Sequence, residues 1–139
     1  MSETSSLPTS GTTSSGPDTV GLRLPADGAY VSVLRTLSAG LAARLDFTMD
    51  DIEDLRIAVS EAAAMVLDEA DEGADLDCEF ELGETGMSLS IQAAAAAPSA
   101  PDYENFGWQV LATLTADAVI DSSPGSYAVR LTVRTSLSS

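Results

Sequence analysis

Residues Asp75 to Leu82 read Asp-Leu-Asp-Cys-Glu-Phe-Glu-Leu, polar and apolar by turns at every step. A period of two is that of an extended strand whose successive side chains point to opposite faces. Such a strand is wet on one side and dry on the other. It belongs to an antiparallel sheet, and its apolar face needs a second layer to cover it. Gly83 to Gly86 follow as a tight hairpin turn, and Met87, Leu89 and Ile91 alternate as the second strand of that hairpin. Ala93 to Ala97, with Pro98 and Pro101, then read as a small-residue connection.

The covering layer is written upstream of the hairpin. Val31, Leu34, Leu37, Leu41 and Leu45 recur at steps of three and four, which gives one apolar face of a helix. Asp27 is placed to cap its start, and Arg35 and Arg44 sit off the apolar face. Thr48 and Asp51 make a capping signature for a second helix, with Asp50, Asp51 and Glu53 where the helix dipole favours acids. Ile52, Leu55, Val59, Ala63 and Val66 mark the buried stripe of that helix, which is expected to end near Gly73. Val20 to Leu24 reads as a short strand closed by Pro25. After the connection, Phe106 to Ala116 reads as a third helix with Val110, Leu111 and Leu114 inward. Ala118 to Ser122 is a strand, Pro124-Gly125 a turn, and Tyr127 to Val133 a last alternating strand. Antiparallel hairpins on one side and helices on the other predict an α+β two-layer sandwich, a mixed, mainly antiparallel sheet packed against helices.

Residues 1–19 are rich in Ser, Thr, Gly and Pro and are expected to be a disordered tail. The domain is expected over residues 20–135, with a short tail at 136–139. No apolar run approaches the roughly 18 residues of a membrane span, and the N-terminus lacks the basic start and apolar middle of a signal peptide. A cytoplasmic protein is expected. The single cysteine, Cys78, fits a reducing compartment and is expected to be buried and inert beside Leu76 and Phe80.

The 139-residue chain has 22 acids against six cationic residues, all arginine, for a net charge of −16. Nucleic acid is therefore an unsuitable direct partner, since its binding rests on cationic contacts to phosphate. A basic protein suits such a surface, though acidic charge also serves plain solubility. With no His and one Cys, no metal site is expected.

Three stretches carry a resemblance: Leu22-Arg23-Leu24-Pro25-Ala26, Leu55-Arg56-Ile57-Ala58-Val59-Ser60-Glu61-Ala62, and Gly107-Trp108-Gln109-Val110-Leu111. In order and spacing they resemble anti-sigma factors of the RsbW type, in the histidine-kinase-like (GHKL) ATPase superfamily. The likeness runs over about residues 20 to 135. It is strongest from Leu34 to Leu67, and looks nearest to shortened, actinobacterial members. It implies the histidine-kinase-like ATPase fold with a shortened lid. It also implies a protein that sequesters an alternative sigma factor of the stress or sporulation kind and is released by an anti-anti-sigma protein of the STAS fold. Active members use Mg-ATP to phosphorylate a serine of that antagonist. Family members are often dimers, so a homodimer is carried over.

The family's ATP motifs are only partly present. Its helix bears a general-base Glu and, four residues later, a Mg²⁺-holding Asn. Glu61 matches the first, but Met65 stands at the second, and a thioether is a poor ligand for a hard cation. The adenine-reading Asp is replaced by Ala93, and the following glycines by Ala95 and Ala97. Of the glycine-rich lid Gly107 remains, and Gly125-Ser126 resembles the family's final Gly-Thr turn. Glu61 is thus a vestigial base or an ordinary surface acid. No cofactor is expected, with ATP and Mg²⁺ bound only if the degenerate site still functions. The favoured expectation is a non-enzymatic anti-sigma factor acting by partner switching. The alternative is an active protein-serine kinase phosphorylating its antagonist. Arg35 aligns with a family arginine that contacts both partners, a role suited to its planar fork; its other reading is a solvated helix charge. Trp108 reads as partly buried core or as an interface anchor, and the acids from Asp50 to Asp54 as a solvated face or a meeting point for a basic partner.

Overall fold

A computed structural model describes residues 18–136, and the two tails expected at the ends of the chain lie largely outside them. Among the described residues five strands form one sheet: β1 (Asp18–Pro25), β2 (Asp75–Leu82), β3 (Gly86–Ala95), β4 (Asp117–Ser123) and β5 (Gly125–Arg134), in the spatial order β1-β2-β3-β5-β4. All four pairings are antiparallel, so the expected mixed character is absent among the described strands. Three α-helices among these residues, α1 (Val31–Arg44), α2 (Met49–Glu69) and α3 (Phe106–Leu114), cover one face.

The alternation in β2 does what its period requires: Leu76, Cys78 and Phe80 are buried, while Asp75, Asp77, Glu79 and Glu81 are exposed. The buried set meets Leu34 of α1, Leu55, Val59 and Val66 of α2, Leu111 of α3, and Ile91, Val129 and Leu131 of the neighbouring strands. α2 is the central helix; α1 and α3 both pack against it, and it lies over β3 and β5. Its start is set by a capping box. Thr48 Oγ1 accepts from the Asp51 N–H at 3.1 Å, and Asp51 accepts from the Thr48 N–H at 3.3 Å. Asp51 Oδ2 also accepts from the N–H and the hydroxyl of Ser136, each at 2.9 Å, which ties the end of the sheet to this helix start.

Several boundaries differ from the sequence reading, each for a local reason. β1 starts at Asp18, two residues before Val20, because Asp18 and Thr19 pair with Leu82 and Glu81. Asp27 caps a 3-10 turn at Gly28–Tyr30 rather than α1 itself. α2 ends at Glu69, short of Gly73, because Ala70 turns extended and Asp71 bonds away from the helix: its N–H donates to Ala94 O at 2.8 Å and its carboxylate accepts from Ala96 N. Gly73 then supplies the positive φ of 78° that turns the chain into β2. The alanine run is not all connection, since Ala93, Ala94 and Ala95 pair with Tyr127, Ser126 and Gly125 as the end of β3. Ala93 and Ala95 are buried, and small side chains there let the alanine-rich face of α2 (Ala58, Ala62, Ala63) lie close. α3 stops at Leu114 because Thr115 is extended and Ala116 already donates to Thr132 O at 2.8 Å.

Candidate functional site

α2 carries the residues that matter. Glu61, Met65, Asp68 and Glu69 fall at i, i+4, i+7 and i+8, so they share one stripe of the helix. α3 is set against that stripe by Leu111, which is fully buried, and by Gly107. A Cβ on Gly107 would lie 3.0 Å from Glu61 Oε1, 3.0 Å from Asn105 Oδ1 and 3.8 Å from Met65 Sδ. Gly107 is therefore a close-approach residue where α3 sits down on α2. Glu61 reaches the first turn of α3, where the helix dipole favours a carboxylate. Asn105 caps that turn, its Oδ1 accepting from Trp108 N at 3.3 Å. Trp108 is half-buried against the core and stands edge-on to Tyr103, ring centroids 4.9 Å apart.

The connection from Ala96 to Asn105 is fastened to α2 and β4. Glu69 Oε1 accepts from Ser99 N at 2.8 Å, Asp71 holds Ala96 N at 3.0 and 3.1 Å, and Ser122 Oγ donates to Ser99 O at 2.8 Å. Beneath it lies a cleft of about 190 Å³ whose lining includes Met65, Asp68, Glu69, Asp102 and Tyr127. That is below the roughly 300–1,000 Å³ of typical small-molecule sites. Three carboxylates border it, so a triphosphate entering there meets like charge, and Met65 offers it no hard oxygen ligand.

The sequence-chosen residues are only partly gathered here. Glu61, Met65 and Gly107 come together. Ala93 lies in β3 opposite Tyr127, buried under the helices. Gly125 forms the exposed β4–β5 turn with φ 96°, a conformation that favours glycine. Ser126 does not face the cleft, because alternation along β5 sends it to the side opposite Tyr127. Arg35 sits on α1 and donates from Nη1 to Ser60 Oγ at 3.3 Å, one residue from Glu61; it makes no ion pair among the described residues. Sequence reasoning missed Tyr127, Asp68, Glu69 and Asp102. The first of these belongs to the β5 alternation, and the next two follow from the helical spacing after Glu61.

No group of three or more His, Cys, Asp or Glu among the described residues is arranged to hold a metal ion. Burial pushes the Cys78 thiol up to about 12, aided by the charge of Asp77, so it stays protonated and unreactive. No described helix is long and apolar enough to cross a membrane.

A helical layer on one face of an open antiparallel sheet, with a cleft between the central helix, the connection after β3 and the start of β5, defines an open-faced α+β sandwich of the kind seen in RsbW domains. Within that class the chain is RsbW-like in sequence. It is 42% identical over 76 residues to the serine-protein kinase RsbW of Halalkalibacterium halodurans, covering 54% of this chain and 47% of that protein. It is 42% identical over 57 residues to the protein of the same name from Bacillus velezensis, covering 41% and 36%. The chain thus spans less than half the length of these curated relatives. The crystal structure of the RsbU and RsbW domains of Rv1364c from Mycobacterium tuberculosis superposes with a TM-score of 0.66 at 16% identity, over 85% of this chain and 32% of that one; this likeness concerns the fold. No protein-family model matches the chain.

Proposed function

We propose that this chain is an anti-sigma factor that sequesters an alternative sigma factor by occlusion, and that a STAS-type antagonist frees the sigma factor by competing for the same surface. Phosphoryl transfer is not part of this cycle. The observation that carries the reading is the seating of α3 on Glu61 and Met65, with Gly107 in contact and acids around the remaining cleft. A base needs room for its nucleophile and a metal to hold the phosphates, and these residues fit neither need. Ala93 adds the loss of the adenine acceptor. Arg35, which reaches Ser60 of α2, and exposed Ile57 one turn before Ser60 supply a mixed cationic and apolar helical surface for the partner. The cytoplasm is the setting this function requires, and a homodimer remains part of the proposal by resemblance alone.

A second reading is kept because the curated relatives are named serine-protein kinases and Glu61 is retained. It requires α3 to lift from α2 when nucleotide binds. Co-purification of the full chain with candidate sigma factors, with and without Mg-ATP, separates the two. Capture of one sigma factor independent of ATP supports the first. Capture only with ATP, together with labelling of a STAS partner, supports the second. Arg35→Ala is expected to weaken sigma binding about tenfold, about 1.4 kcal/mol.

A further inference from the structure

Tyr127 is only 5% exposed, yet its hydroxyl has no hydrogen-bond partner among the described residues. Buried hydroxyls are normally satisfied. This one belongs to a side chain that lines the cleft beneath the connection. Its surroundings are anionic. Burial raises its pKa most, and Glu69, then Tyr103, Asp68 and Asp102, raise it further; the three carboxylates among these line the cleft. No arginine of the chain forms an ion pair with Asp68, Glu69 or Asp102 among the described residues; the two ion pairs present, Arg23–Asp77 and Arg130–Asp121, lie elsewhere on the sheet. The three carboxylates are also too dispersed to converge on a metal ion. A ligand that satisfies this site must be cationic and must spread several N–H donors over separated acceptors, while the Met65 side chain and the Tyr127 ring offer an apolar wall for its stem.

We propose that this cleft binds an organic cation, a guanidinium or alkylammonium group, with Asp68, Glu69 and Asp102 neutralising its charge and the Tyr127 hydroxyl accepting one of its N–H bonds. Glu69 keeps its bond to Ser99 N through Oε1, which leaves its other oxygen for the ligand. The volume of about 190 Å³ suits the end of an arginine or lysine side chain or a small amine, not a nucleotide. The inference rests on the charge and hydroxyl of the cleft and not on the sigma-factor reading, so either can fail without the other.

The test titrates the full chain, at near-physiological salt, with agmatine, which carries both cations, and with acetyl-arginine amide as a mimic of a partner side chain. Trp108, the one tryptophan, stands edge-on to Tyr103, the residue after Asp102 of the cleft, and its fluorescence reports binding alongside calorimetry. One-site saturable binding is expected, weakened about fivefold or more by Asp68→Asn and by Tyr127→Phe and unchanged by Glu79→Gln on the outer sheet face. Tighter binding of the arginine amide assigns the site to a partner's side chain, and tighter binding of agmatine assigns it to a free amine. Should Tyr127→Phe fail to fold, Asp68→Asn, an exposed position, decides alone. Binding that does not saturate, or that Glu79→Gln weakens as much as Asp68→Asn, marks a diffuse counter-ion atmosphere and overturns the proposal.

Discussion

If α3 is seated on α2 in solution, Gly107 and Glu61 must be energetically coupled. Gly107→Ala brings two opposing effects. Alanine in a helix is favoured over glycine by up to about 1 kcal/mol. The new methyl, however, would sit 3.0 Å from Glu61 Oε1 and from Asn105 Oδ1, closer than carbon and oxygen ordinarily approach. Asn105 is held by its cap to Trp108 N, while Glu61 is the end of a flexible side chain and must swing away. The single variant is therefore expected to lie within about 1 kcal/mol of the parent, slightly destabilised. In a Glu61→Ala background the Glu61 contact is gone and the Asn105 contact is unchanged, so it cancels. The same substitution should then be more favourable by about 0.5–1 kcal/mol, the size of coupling typical of touching residues. Urea unfolding of the four proteins, followed by circular dichroism, gives the cycle. Additivity within about 0.3 kcal/mol would mean that α3 does not rest on Glu61, and the argument from a closed cleft would fall.

Leu111→Ala, which empties a fully buried contact between α3 and α2, should cost about 2–5 kcal/mol in denaturant unfolding. Gly86→Ala should destabilise by about 1–3 kcal/mol, because its Cβ would approach the Val133 backbone oxygen, a contact no rotamer relieves. The Ser136 N–H, then its hydroxyl and Thr48, hold the Asp51 carboxyl below the usual carboxylate range. Because its folded pKa is the lower one, that stability is present above the unfolded value of about 3.9 and is lost as pH falls through the folded value. Asp51→Asn should thus destabilise at neutral pH and converge with the parent in acid-range thermal melts. Cys78 should resist iodoacetamide at pH 8 in the folded chain and react once urea unfolds it, since its thiol titrates near 12.

The sheet was the most legible part, because the period of Asp75–Leu82 leaves little freedom once one face must be dry. The helical stripes and the Thr48–Asp51 capping box were legible for the same reason: both are local patterns. What was hidden depended on neighbours distant in sequence. Ala93–Ala95 lack strand-forming side chains, and they are strand because β5 offers them a ladder. Gly86 reads as a turn glycine, yet the constraint on it comes from Val133. Gly107 reads as a relic of a lid, whereas in space it is the point where two helices touch. Ser126 looked like a kept hydroxyl, but one step of alternation turns it away and puts Tyr127 toward the cleft instead. The acidity of that cleft arises from Asp68 and Glu69 on α2 meeting Asp102, 33 residues on from Glu69, and no motif connects them.

The central claim is that the nucleotide site has been given up while the scaffold and the Arg35 surface are kept. Isothermal calorimetry of the full chain with Mg-ATP tests it most directly. The account predicts no saturable heat up to millimolar nucleotide, in the parent and in Glu61→Ala alike. One-to-one binding with a micromolar Kd, about −8 kcal/mol, lost in Glu61→Ala, would contradict it and return the kinase reading to first place.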